Sequence, residues 1–450
     1  MTDPVVIVGA GTAGCVVASR MSQDPTTEVI LLEAGPDLRS DRMPDALGSV
    51  DHLATHAVTE RWRRRSTVDG PDLLSGRGVG GSAAVNGMLA MWPPREDLDT
   101  LAGGLHRWSA AEREPSMERV QSTLAPTLTG RSRWGALSRA LAAAAKGDGV
   151  DAIGDHNTGA SGIASVHLAQ HDQRRFSIRE AYLEPARARS NLTVGPDAQA
   201  RRVRIVDNAA VGVELDDGTL VDASKVILAA GAIETPVLLQ RSGVTGSGIG
   251  RNLHDHLSWV IRLQRREPAA RSGVPSGWAA RWRQTAGGEV LAMPVEWLDD
   301  IDQAGVLVML LTPTSRGLVA ANADGSVSIA HRWSAVDAEV LLGAVHRVYG
   351  WLEAVASIAT PVDPPRSLDE FARAITTVPA SVFHSGGTCR MGDPDDPDTV
   401  VDEFGRVLGY SDLLVADASL LPGPVRAPPM LTVALLAEHL TELWGLSKGA

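Results

Sequence analysis

The sequence predicts an α/β fold built on a buried parallel sheet. Three observations carry that prediction. The chain opens on an apolar strand, a Gly-rich turn, a helix and a second apolar strand, "PVVIVGAGTAGCVVASRMSQDPTTEVILLEAGP" at 4–36. Two further apolar strand runs follow much later, at 224–239 and 412–423. The chain has 450 residues, too many for one ordinary core, so a second domain is expected.

The opening unit is justified residue by residue. Val5–Val8 is a continuous apolar run, as a strand covered on both faces requires. Gly9, Gly11 and Gly14 form a GxGxxG. Gly9 makes the tight turn, Gly11 lets a pyrophosphate approach the backbone, and Gly14 lets helix and strand pack closely. Thr12 and Ala13 begin a helix whose N-terminus attracts phosphate charge. The second strand, at 28–32, ends at Glu33, about 20 residues on, where a carboxylate can accept hydrogen bonds from a ribose.

The later segments decide between two dinucleotides. "SGRGVGGSAAVNGM" (75–88) is a second Gly-rich stretch that sets a polar Asn86 among apolar residues. "SKVILAAGAIETPVLL" (224–239) is a buried strand ending at Ala229-Ala230-Gly231, followed by a helix. "DLLVADASLLPG" (412–423) is a late strand ending at Asp417. NAD needs one nucleotide unit and a separate catalytic domain. Three distant segments aimed at one ligand suit the longer reach of FAD, with Asp417 toward its ribityl or phosphate side.

These residues resemble the glucose-methanol-choline (GMC) oxidoreductases over nearly the whole chain. "GRGVGGSAAVNGM" is similar to the family's first signature and "GAIETPVLLQRSGV" to its second. "GIGRNLHDH" matches the stretch that follows. "FHSGGTCRMG" and "VVDEFGRVLGYSDLLVADASLLP" resemble the C-terminal active-site and flavin segment. The resemblance implies an FAD-binding domain of discontinuous segments, 1–100, 176–256 and 384–450. It also implies an α+β substrate domain with an antiparallel sheet, 101–175 and 257–383. It adds Ala34, Gly80, Gly81, Ser82, Gly87, Met88, Ala200, Ala418 and Thr432 to the cofactor-contacting set. The stretch 82–86 holds no His, so FAD is expected to be non-covalent.

In this family an alcohol loses its hydroxyl proton to a base and a hydride to the flavin. The resemblance puts the catalytic histidine on His384, a side chain whose ordinary pKa suits the task. The usual second His or Asn falls on Pro429 in "RAPPMLTVALLAEHL" (426–440). Proline has neither a side-chain polar atom nor a backbone N–H. Three readings stay open: Arg426 substitutes, His384 acts alone, or the ordinary alcohol chemistry is absent. Arg426 also reads as a solvated surface residue. The shortened substrate half and the RxPP ending resemble mycofactocin-associated members. Those oxidise a reduced peptide-derived redox cofactor for the respiratory chain, so a dehydrogenase with an acceptor other than NAD is expected. A GMC-type lyase that does not turn its flavin over, or an accessory flavoprotein, is the alternative.

Composition limits the rest. A net charge of −12 argues against nucleic-acid binding. The two cysteines, Cys15 and Cys389, lie far apart, which fits a reducing compartment and a cytoplasmic location. The strand at Val5 leaves no room for a leader, and no apolar stretch is long enough to span a membrane. His254 and His256 form an HxH, read as a hydrogen-bonded cluster at a domain junction, so no metal is expected. The six tryptophans from Trp259 to Trp351 read mostly as core. "SGWAARWRQ" (276–284) differs: on a helix, Trp278 and Trp282 flanked by Arg281 and Arg283 would form a face for peripheral membrane contact or an electron-acceptor partner. The sequence does not give the oligomeric state.

Overall fold

The run Val5–Val8 forms the centre of a five-stranded parallel sheet in a computed structural model. The structure describes residues 3–446 except 40–42, 69–71, 104, 270–273, 299–300, 363–366 and 378–380. The strands lie in the order Leu192–Gly195, Val29–Leu32, Val5–Val8, Lys225–Leu228, Leu413–Val415. All four residues of the central strand are buried, which explains why that stretch carries no polar alternation. The edge strand Leu192–Gly195 was not read from the sequence. Nor was the antiparallel meander Ala200–Val206, Ala209–Leu215, Leu220–Asp222 that follows it.

The first helix, Thr12–Met21, packs on the C-terminal helix Met430–Leu446. One ion pair ties them. The carboxylate of Glu438, 1% exposed, accepts from Arg20 Nε at 2.9 Å and from Arg20 Nη2 at 2.6 Å. Arg119 approaches the same carboxylate at 3.5 Å.

A second, six-stranded antiparallel sheet has the order Ala359–Pro361, Leu257–Arg265, Gln303–Leu310, Glu289–Val295, Trp278–Arg283, Gly162–Ser165. The two-residue alternation of strands divides its faces. Leu257, Val290, Ala292, Val306, Val308 and their neighbours pack with the helices Ala136–Gly147, Ala335–Leu352 and Leu368–Thr377. The other face, including Met293, Leu307 and Met309, turns toward the parallel-sheet core. The proline-rich stretch at 360–367 lies partly outside the described residues.

Residues 278–283 are therefore a strand, which corrects the helical reading. A spacing of four puts two side chains on one face of a helix and equally of a strand, so the pattern could not discriminate. Trp278 and Trp282 are buried in the second core, with Trp282 packed edge-on against Trp351. Arg281 is fully buried and donates to Ala160 O at 2.8 Å. No exposed aromatic-basic face exists at this segment. Among the described residues no helix is long and apolar enough to cross a membrane.

Replacing Glu438 with Ala leaves the Arg20 guanidinium without its buried partner. Thermal or urea denaturation should show a loss of about 3 kcal/mol. Glu114→Ala, which breaks the exposed pair with Arg95, should cost under about 1 kcal/mol. Equal effects would contradict the role given to this contact.

Candidate active site

A cavity of about 600 Å³ joins the two sheets. Gly9, Gly11, Thr12, Ala13, Glu33 and Ala34 line it at the edge of the parallel sheet. Gly81 sits directly over Gly11: a Cβ on Gly81 would come within 2.7 Å of Gly11 Cα. From there the wall runs through Ser82, Asn86, Gly87 and Met88. Asn86 Nδ2 reaches Met430 Sδ at 3.4 Å, next to Pro429 and close to where His384 and Ser385 complete the lining. Ala200, Ala230, Gly231, Asp417 and Ala418 also line it.

Three expected contacts lie behind the wall instead. A Cβ on Gly14 would fall 1.8 Å from Gly9 O, so Gly14 serves the packing of helix on turn. Gly80 takes φ of +99° and donates its N–H to Ala10 O at 2.7 Å. Thr432 is buried within the last helix, and its Oγ1 has no hydrogen-bond partner among the described residues.

Two acidic residues are occupied differently from the sequence reading. Glu33 accepts from Ala10 N–H (2.9 Å), Gly35 N–H (2.9 Å) and Gly78 N–H (3.0 Å). It joins three loops, using three of its roughly four acceptor sites before any ribose arrives. Asp417 accepts from Gly231 N–H (2.8 Å), Thr235 Oγ1 (2.6 Å) and Ser419 N–H (2.8 Å). It fixes the start of the helix Gly231–Arg241.

The first helix begins without a side-chain cap and without an acidic residue in its first turn. A Cβ on Gly11 would meet no atom within 4 Å. Open space beside uncapped N–H groups suits a bound anion.

The reactive end is built around Asp255. This buried carboxylate accepts from His256 N–H at 2.8 Å and His384 N–H at 2.8 Å. It also accepts from the hydroxyls of Ser381 at 2.6 Å and Ser385 at 3.3 Å. Burial pushes its pKa up to about 6, and the donors oppose that rise.

His256 and His384 meet Nδ1 to Nδ1 at 2.9 Å. His256 Nε2 lies 3.0 Å from the carbonyl oxygen of Val425. A carbonyl can only accept, so His256 carries its proton on Nε2 and presents a lone pair at Nδ1. His384 must then donate from Nδ1, which leaves its own Nε2 unprotonated. Burial pulls His256 down to about 4. Burial, and then the neighbouring His256, hold His384 well below its ordinary value. His384 keeps accessible surface in the cavity, so a lone-pair nitrogen is available there near neutral pH.

Arg426 does not join it. Its Nε donates to Asp97 at 2.7 Å, Nη1 to Glu289 at 3.3 Å and Nη2 to Glu96 at 3.1 Å. It is absent from the cavity wall, which overturns its catalytic reading. Glu289 also pairs with Arg281 at 3.0 Å, so the network pins the segment carrying Pro428 and Pro429 against the second sheet. Both prolines line the cavity.

His254 accepts a structural role: its backbone pairs with Gly386, and among the described residues no group of His, Cys, Asp or Glu is arranged for a metal. The sequence reading missed Ser381, Ser385 and Val425. It also missed Arg175, a buried cation whose Nη1 donates to Asn86 Oδ1 at 3.0 Å. The partnership of His256 with His384 spans 128 positions and leaves no periodic signal.

GMC oxidoreductase patterns match residues 4–258 and 313–437. The chain belongs to the GMC oxidoreductase family. A GMC-type oxidoreductase of Rhodococcus erythropolis is 31% identical over 97% of each chain. An oxygen-dependent choline dehydrogenase of Escherichia coli is 27% identical, over 97% of this chain and 94% of that one. The crystal structure of pyridoxine 4-oxidase from Mesorbium loti superposes with a TM-score of 0.86 at 25% identity, covering 99% of both chains. As a GMC family member this chain is an oxidoreductase.

Buried histidines make the fold acid-sensitive. His254, His256 and His331 are held neutral by burial, with folded pKa values of about 3, 4 and 4. Because these lie below the unfolded value near 6.5, the stability they hold is complete above pH 6.5 and is lost as pH falls toward 4. At pH 5 that is about 2 kcal/mol each, opposed by about 1 kcal/mol from Asp255, whose raised pKa acts in the other direction. Thermal melting should fall clearly between pH 7 and pH 5. An unchanged midpoint would contradict the neutral cluster.

Proposed function

We propose that the chain uses FAD to oxidise an alcohol CH–OH group, with His384 Nε2 accepting the hydroxyl proton. The observation that carries this reading is the hydrogen-bonded chain from Val425 O through His256 to His384, which assigns the lone pair of His384 to Nε2. The residues that would hold FAD are Gly11, Thr12 and Ala13 at the pyrophosphate, and Ser82, Asn86, Gly87 and Met88 toward the ring. FAD when bound supplies acceptance of the hydride from the alcohol carbon. Its FAD-binding segments would be 1–100, 176–256 and 384–450, with 101–175 and 257–383 forming the substrate side. The stretch Ser82 to Asn86 offers no His or Cys for a covalent link, which favours non-covalent binding.

Pro428 and Pro429 present no donor to the substrate oxygen. His384 therefore works without a polar partner from that segment. Once protonated, its Nε2–H is the donor left beside the oxygen it has deprotonated. We assign the electrons to an acceptor other than NAD. A mycofactocinol-like donor belongs in the substrate panel beside simple alcohols. The aromatic-basic segment that would have suited such a donor is buried, which leaves the shortened substrate half and the RxPP ending to favour it.

The test is anaerobic mixing of the flavin-loaded protein with alcohols, following loss of the flavin's visible absorbance. His384→Ala should slow bleaching by roughly 10²–10⁴-fold. Because burial holds the His384 pKa well below its ordinary value, the bleaching rate should stay level through the ordinary histidine range and fall only below it. An inflection near the ordinary histidine value would contradict the geometry. Substrate cleavage with the flavin still yellow would favour a lyase.

A further inference from the structure

We infer that the substrate pocket is built for uncharged, apolar alcohols and rejects alcohols that carry a cationic or anionic group close to the reacting carbon. This deepens the proposed oxidation and rests on that reading for the identity of the reactive end.

The wall beside His384 is one continuous patch of the antiparallel sheet. Ser258 stands opposite Met309, Val260 opposite Leu307, and Leu307 opposite Met293. All five line the cavity. Leu257, next in sequence to Ser258, bridges to Ser381, so the patch begins three residues from His384. Val382, Phe383, Pro429 and Met430 also line this end. The polar side chains that line this end are uncharged: the hydroxyls of Ser258, Ser276, Ser381 and Ser385, the Asn86 carboxamide and the His384 imidazole. Ser276 Oγ is buried and has no hydrogen-bond partner among the described residues.

The charged side chains of the cavity are committed on the dinucleotide side. Glu33 binds the loop at Ala10 and Asp417 binds Gly231. Arg63 and Arg65 pair with Glu234 of the helix that starts at Gly231. Arg77 donates to Ala34 O and Arg241 to Gly325 O. On the same face of the sheet but outside the cavity lining, the charges of Arg281, Glu289, Arg426 and Asp97 pair with one another. At this end, then, no cavity-lining residue is a carboxylate or a guanidinium; the nearest cation, Arg175, lies buried behind Asn86 and Ala83, with Nε and Nη2 unpartnered among the described residues. A charge entering this end would lose its water and gain no partner. Thioethers at Met293, Met309 and Met430 suit varied apolar shapes, because the side chain is flexible and polarizable.

Matched pairs isolate charge from shape. Choline and 3,3-dimethylbutan-1-ol share one shape, and so nearly do 4-(hydroxymethyl)benzoate and 4-methylbenzyl alcohol. Anaerobic bleaching rates and ligand-induced shifts of the flavin spectrum are read for each on the flavin-loaded full chain. The neutral member of each pair should be favoured by about 100-fold or more in rate over concentration, the scale of one unpaired buried charge. Val260→Asp, at a partly exposed position on the rim, should raise choline relative to its neutral isostere at least about 10-fold. A charged alcohol equal to or better than its neutral partner overturns the inference. So does a flavin spectrum that no neutral ligand perturbs. Spectral shifts from the neutral members alone, without bleaching, would uphold the pocket chemistry while refuting alcohol oxidation.

Discussion

Asp255 accepts two backbone N–H groups and two hydroxyls in a volume closed to water. An ionised carboxylate there is tolerable only because four donors converge on it. Together with the backbone bridges His254–Gly386 and Leu257–Ser381, it joins the segment after Leu253 to the segment around His384, some 128 positions apart in the chain. With them held, His256 reaches the Val425 carbonyl and His384 reaches His256. The protonation state of the reactive nitrogen follows from a carbonyl two side chains away.

The same economy of charge recurs across the cavity. Glu33 and Asp417 carry formal charge into the wall, yet each is consumed by backbone N–H groups that shape the loops. The Arg281, Glu289, Arg426 and Asp97 network ties the antiparallel sheet to the last segment, outside the cavity lining. What lines the end beside His384 is one imidazole, the Asn86 carboxamide, a few hydroxyls and an apolar sheet face. The two sheets divide the work: the parallel one offers helix N-termini and glycine turns, the antiparallel one offers a patterned wall.

The dinucleotide end was legible in the sequence because its chemistry is local. Gly9, Gly11 and Gly14 stand within one turn, and their spacing alone fixes what each can do. The buried strands at Val5 and Lys225 announced themselves as unbroken apolar runs. The reactive end was legible only in part. His384 was singled out by resemblance, but the residues it contacts come from loops far apart in the chain, and no period or spacing encodes a contact between them. Arg426 looked available because a sequence shows a charge without showing Asp97, Glu96 and Glu289 around it. Trp278 and Trp282 misled for a simpler reason: a four-residue spacing belongs equally to a helix and to a strand.

The proton positions on the two imidazoles are the most direct test. Long-range ¹H–¹⁵N correlation spectra of histidine-labelled protein, assigned with His256→Gln and His384→Gln variants, distinguish a protonated ring nitrogen from one with a lone pair. At about pH 7, His384 should be neutral with its proton on Nδ1 and a lone pair on Nε2, and His256 should carry its proton on Nε2. A neutral His384 protonated on Nε2, or an imidazolium at that pH, would remove the base from the cavity and contradict the site as described.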